Sequence, residues 1–128
     1  MSAAAATVST HILDTSLGRP AAGVAVELSV GGDGAGGWTA HGASATDADG
    51  RVRDLPALPA GTSRVRLVFA TGPYLGGPAA GSGQDAPGYP DGGAFFPEVA
   101  VVFAVRGGEH YHVPLLLTPF GYSVYRGS

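Results

Sequence analysis

The chain has no cysteine. That excludes disulfides, thiolate nucleophiles and cysteine-based zinc sites, and it leaves the redox compartment open. Long apolar runs are missing too: nothing approaches the ~20 residues that a membrane-spanning helix needs. The opening Met1-Ser-Ala-Ala-Ala-Ala has neither a basic n-region nor a long apolar h-region. These features predict a soluble, cytoplasmic protein. Basic charge is scarce, with 7 Lys+Arg against 10 Asp+Glu and a net charge of -3. This argues against a nucleic-acid partner, because such domains carry a basic patch. There is no Gly-x-Ser-x-Gly, no P-loop and no glycine-rich turn between strand and helix, so serine-triad and nucleotide chemistry are not expected.

What is present points to strands. Twenty-two glycines and ten prolines favour turns over long helices. The 45% hydrophobic content of 128 residues allows one real core. Val8–Asp14 alternates, with Ser9, His11 and Leu13 on one face and Val8, Thr10 and Ile12 on the other. Val24, Val26, Leu28 and Val30 form a second alternating set. Val65, Leu67 and Phe69 form a third, with Arg64 and Arg66 facing outward, and Val99, Val101, Phe103 and Val105 form a fourth. Trp38–Thr46 is a weaker strand pattern and Arg51–Leu55 a short one. Near the end, His112, Pro114 and Leu116 share a face opposite Tyr111, Val113, Leu115 and Leu117. Thr118-Pro-Phe-Gly turns the chain, and Ser123 and Tyr125 then share a face. About eight short strands with regular turn signals predict an all-β sandwich or barrel. Gly72–Gly93, made almost wholly of Gly, Pro, Ala, Ser and Asp, predicts a long surface loop.

Imidazoles dominate the candidate chemistry. His110 and His112 form a His-x-His pair that a strand would put on one face, a spacing that suits a metal if His11 or His41 supplied a third ligand. A strand histidine can equally be structural. If the first and last strands are neighbours, His11 and His112 converge. Titrating near neutral pH, one could take a proton from water while the other holds substrate. Arg51 could polarise an anionic, carbonyl-rich substrate. Asp47-Ala-Asp-Gly-Arg51 reads as a hairpin turn; it also resembles the opening of a calcium loop, but the later ligands are missing.

Several blocks together resemble one family. Ser9-Thr-His-Ile-Leu-Asp14, Gly18-Arg-Pro-Ala21, Asp47-Ala-Asp-Gly-Arg51, Phe95-Phe-Pro-Glu98, Glu109-His-Tyr-His-Val-Pro-Leu-Leu-Leu117 and Tyr125-Arg-Gly-Ser128 look like the 5-hydroxyisourate hydrolases, in the family's own order. This is the transthyretin-related family of urate breakdown. The terminal Tyr-Arg-Gly-Ser separates these hydrolases from the transthyretin hormone carriers. The resemblance implies a single transthyretin-like (prealbumin-like) β-sandwich of two four-stranded antiparallel sheets, assembled as a homotetramer, a dimer of dimers around a central channel. It implies catalytic His11, Arg51 and His112, a substrate site lined by Tyr125, Arg126, Gly127 and Ser128, and no cofactor or metal. The implied reaction opens the six-membered ring of 5-hydroxyisourate to OHCU. The family has a short helix between Phe69 and Phe95, where this chain carries its Gly/Pro-rich insertion at about 72–94; composition predicts that the helix is replaced by loop. A small-molecule carrier without chemistry is the alternative from a different class, and a zinc hydrolase built on His110 and His112 is a third.

Overall fold

A computed structural model gives the structure and describes residues 5–31, 37–76 and 94–127. The insertion from 77 to 93 and Ser128 lie outside the described residues. Nine strands and one helix occur among those described. One sheet runs β2 (Arg19–Pro20), β1 (Thr7–Asp14), β8 (His110–Thr118) and β9 (Gly121–Val124), with β5 (Arg51–Val52) also paired to β1. The other runs β4 (Thr39–Ala45), β3 (Ala25–Gly31), β6 (Arg64–Phe69) and β7 (Val99–Ala104).

The alternating positions become the two inner faces. Val8 and Ile12 of β1 and Tyr111, Val113, Leu115 and Leu117 of β8 meet Val26 and Leu28 of β3, Val65, Leu67 and Phe69 of β6 and Val99 of β7. Each large aliphatic or aromatic side chain fully buried there contributes roughly 1.5–3 kcal/mol. The second sheet is antiparallel throughout. The first is antiparallel except where β1 and β8 run parallel, in register from Thr7↔His110 to Asp14↔Leu117. That pair joins the two ends of the chain and sets Ser9 beside His112.

The loop expected from Gly72 onward is corrected at its start: Thr71–Gly76 is a short helix, α1. Its composition is poor for a helix, and tertiary anchors hold it. Pro73 lies in the first turn, where a missing N–H costs nothing. The Thr71 hydroxyl donates to the Phe96 carbonyl at 2.6 Å, and Gly72 N–H donates to the Pro97 carbonyl at 2.8 Å. Tyr74 donates its hydroxyl proton to Asp14 Oδ2 at 2.7 Å. Burial and this bond to the carboxylate push the Tyr74 phenol up to about 12. Burial also opposes charge on Asp14, but bonds from Ser16, Tyr74 and Leu17 outweigh it and hold the carboxyl below its ordinary range. Among the described residues no helix is long and apolar enough to cross a membrane.

Candidate active site

β1, β5 and β8 build one polar patch on the outer face of the first sheet. His11 is the register partner of Arg51, and Ser9 of His112. Arg51 is placed by the Asp47–Arg51 turn. Asp47 Oδ1 accepts the backbone N–H of Asp49 at 2.9 Å and of Arg51 at 3.0 Å, and Asp47 N–H donates to the Arg51 carbonyl at 3.0 Å. The Asp47 carboxylate therefore closes a turn. Gly50 makes the turn possible, with φ at +75°. A Cβ there would lie 2.5 Å from the Ile12 carbonyl oxygen, whereas Gly50 O now accepts from Ile12 N–H at 2.7 Å.

Gly50→Ala is expected to cost about 1–2 kcal/mol through the left-handed backbone alone, plus whatever the clash with β1 adds. Chemical denaturation would show this as a lower midpoint at unchanged slope; an unchanged midpoint would mean that the turn relaxes freely and does not fix Arg51.

Ser9, Thr10, Arg51, Arg53, His110 and His112 line a cleft of about 260 Å³. His11 stands beside its wall, where Nε2 bonds the Asp49 carbonyl at 3.0 Å. A carbonyl can only accept, so His11 Nε2 carries the proton in this bond. His112 Nδ1 bonds Ser9 Oγ at 2.8 Å, while Nε2 has no hydrogen-bond partner among the described residues. Partial burial, and then the charges of His11, Arg51 and His110, hold His112 below the ordinary imidazole range. A neutral imidazole with one unpartnered nitrogen, facing a guanidinium across a small cleft, can act as a base on bound water.

The tail comes back along β8. Gly127 N–H donates to the His112 carbonyl at 2.7 Å, and Tyr125 N–H points at the Pro114 carbonyl at 3.4 Å. A side chain at position 127 would meet His112 Cδ2 at 2.8 Å, so glycine is what lets the tail lie against that imidazole. Arg126 turns away from the His112 cleft. Its guanidinium lies 4.5 Å over the Tyr111 ring and donates to Glu109 Oε1 at 3.2 Å. Tyr125 and Arg126 border a second cavity, of about 350 Å³, with Phe103, Tyr111, Val113 and Val124. Alternation explains Arg126: it falls on the opposite face from Gly127.

His41 belongs to the other sheet, on β4, where Nε2–H donates to the Ala57 carbonyl at 2.7 Å. Among the described residues no three His, Cys, Asp or Glu side chains are grouped to hold a metal ion. The sequence reading missed Ser9 and Thr7 as site residues. The alternation that exposed His11 already put Ser9 on its face, but only the parallel β1–β8 register shows that Ser9 meets two imidazoles.

Residues 8–127 match the HIUase/Transthyretin family. The chain is 42% identical over 123 residues to 5-hydroxyisourate hydrolase of Salmonella dublin, covering 94% of this chain and 80% of that protein. Its fold superposes on 5-hydroxyisourate hydrolase of Klebsiella pneumoniae with a TM-score of 0.70 and 35% identity, over 95% of this chain and 99% of that one. It also superposes on sea bream transthyretin in complex with thyroxine, with a TM-score of 0.73 and 33% identity, over 94% of this chain and 93% of that one.

Proposed function

Because this chain belongs to the HIUase/transthyretin family, we propose that it is a 5-hydroxyisourate hydrolase that opens the six-membered ring of its substrate to OHCU in urate breakdown. The observation that carries this reading over a carrier is the convergence of His11, Arg51 and His112 on one face of the first sheet. A channel that only held an aromatic ligand would gain nothing from an imidazole base, His112, whose protonation burial and its neighbours disfavour.

In the proposed mechanism, Arg51 binds the carbonyl-rich substrate and steadies the negative charge that develops as water adds. His112 Nε2 takes a proton from that water. The oxygen adds to a ring carbonyl carbon, the carbon–nitrogen bond breaks, and the departing nitrogen receives a proton as the carboxylate forms. His11, anchored through Asp49, orients substrate from the side of the cleft. The chemistry draws on these side chains and water, without a cofactor. Tyr125 completes the pocket in an assembled tetramer, a dimer of dimers. In a single chain Phe120, Tyr122 and Tyr125 are exposed, and their apolar surface on or beside the edge strand β9 supports such an assembly. A cytoplasmic location accords with this role.

The test generates 5-hydroxyisourate in place from urate and urate oxidase, adds the protein and follows loss of the intermediate's absorbance beside the uncatalysed decay. Acceleration well above that decay is the expected result. A folded protein that leaves the decay unchanged would put the carrier reading in its place.

A further inference from the structure

A hydrogen-bond chain runs behind the catalytic imidazole. Thr7 Oγ1 lies 2.7 Å from His110 Nδ1. His110 Nε2 lies 2.8 Å from Ser9 Oγ, and Ser9 Oγ lies 2.8 Å from His112 Nδ1. A serine hydroxyl has one proton to donate, so Ser9 donates to one ring and accepts from the other. The chain thus has two polarities, and they fix what His112 presents to the cleft. When His112 Nδ1–H donates to Ser9, Nε2 is a bare lone pair and a base. When Ser9 donates to Nδ1, Nε2 carries the proton and is an acid.

We propose that Thr7, His110, Ser9 and His112 form a proton relay that reverses His112 between base and acid within one turnover, with His110 as its outer end. The relay rests on the hydrolase reading above and adds positioning residues to it. His112 Nε2 accepts the proton of the attacking water. The proton on His112 Nδ1 passes to Ser9 Oγ, and the Ser9 proton passes to His110 Nε2. His112 is again neutral, now protonated on Nε2, and the positive charge sits on His110, whose Nδ1–H donates to Thr7. When the ring nitrogen departs, it takes the Nε2 proton and the chain runs backward. The side chains end the turnover with the protons they began with, and the proton of the added hydroxyl leaves to water as the carboxylate forms.

The arrangement has a physical reason. A charge on His112 would face His11 from β1 and Arg51 from β5, with Arg53 on the same cleft and His110 on its own strand. His110 is exposed at the start of β8, where water can solvate an imidazolium. Moving the charge one hydroxyl outward takes it from the half-buried His112 ring to an exposed one that water can solvate.

The experiment compares kcat, KM and buffer dependence in wild type, His110→Gln, Ser9→Ala and Ser9→Thr. His110→Gln should lose about tenfold or more in kcat, with KM little changed, and should recover as imidazole buffer is added; wild type should not respond. Ser9→Ala should lose as much without rescue, and Ser9→Thr, which restores the hydroxyl, should recover most of the rate. A His110→Gln enzyme with wild-type kcat, or one whose loss ignores imidazole, would overturn the relay. Nitrogen-15 NMR of the His112 ring separates this from the hydrolase reading. If wild type shows no hydrolysis at all, that reading fails, and the chain is judged on the spectrum alone. A changed Nδ1/Nε2 tautomer balance in Ser9→Ala supports it, and an unchanged balance sinks it.

Discussion

His112→Ala lowers turnover of 5-hydroxyisourate by about 10²–10⁴-fold, the range that general acid–base catalysis contributes, while circular dichroism and assembly state stay as in wild type. The fold survives because the His112 side chain lies on the partly exposed outer face and the core is on the other side of β8. The same residue sets the acid limb of the pH profile. Burial and the neighbouring cations depress its pKa, so the neutral base persists as pH falls past ~6.5, the ordinary imidazole value, and the rate declines only further into acid. The linkage has a definite sign. A histidine with a depressed folded pKa is favoured neutral, so its contribution to stability is full above the unfolded value and is lost as pH falls through the folded one. A rate that already falls at or above the ordinary value would take His112 out of the base role, as would near-normal turnover in His112→Ala.

Arg51→Ala costs about 10²–10³-fold in kcat/KM, the scale of removing one preorganised donor from a developing oxyanion. Arg51→Lys does not restore it, because an ammonium lacks the planar fork that holds two oxygens at once. The variant makes a second, independent claim. Arg51 is one of the charges that disfavour protonated His112. Removing it raises the His112 pKa and moves the acid limb of the rate to higher pH. Rate profiles across the acid range for both variants decide the matter. A loss of rate with an unmoved limb would leave Arg51 as a substrate contact without electrostatic reach to His112. An unmoved limb together with wild-type efficiency would remove it from the site.

Alternation alone sorted most side chains to their faces. Val65, Leu67 and Phe69 turn inward and Arg64 and Arg66 outward as the period of two dictates, and the same holds for Val8, Thr10 and Ile12 against Ser9 and His11. Turn chemistry was equally local, since Asp47 and Gly50 close their turn with their own side chain and backbone. Two features were not local. The helix at Thr71–Gly76 has no helical period in its own composition, because what holds it are hydrogen bonds to Phe96, Pro97 and Asp14, distant along the chain. Arg126 was grouped with its tail neighbours by motif, yet alternation past β9 sends it to Glu109 and Tyr111.

The sequence by itself determined the all-β class, the faces of the strands and the residue types available for chemistry, because strand periodicity and turn residues act over a few positions. Only the tertiary structure decided that β1 lies parallel to β8, and with it that Thr7, Ser9, His110 and His112 meet. Pairing of strands a hundred residues apart depends on how two sheets bury their faces together, and no local pattern encodes that register.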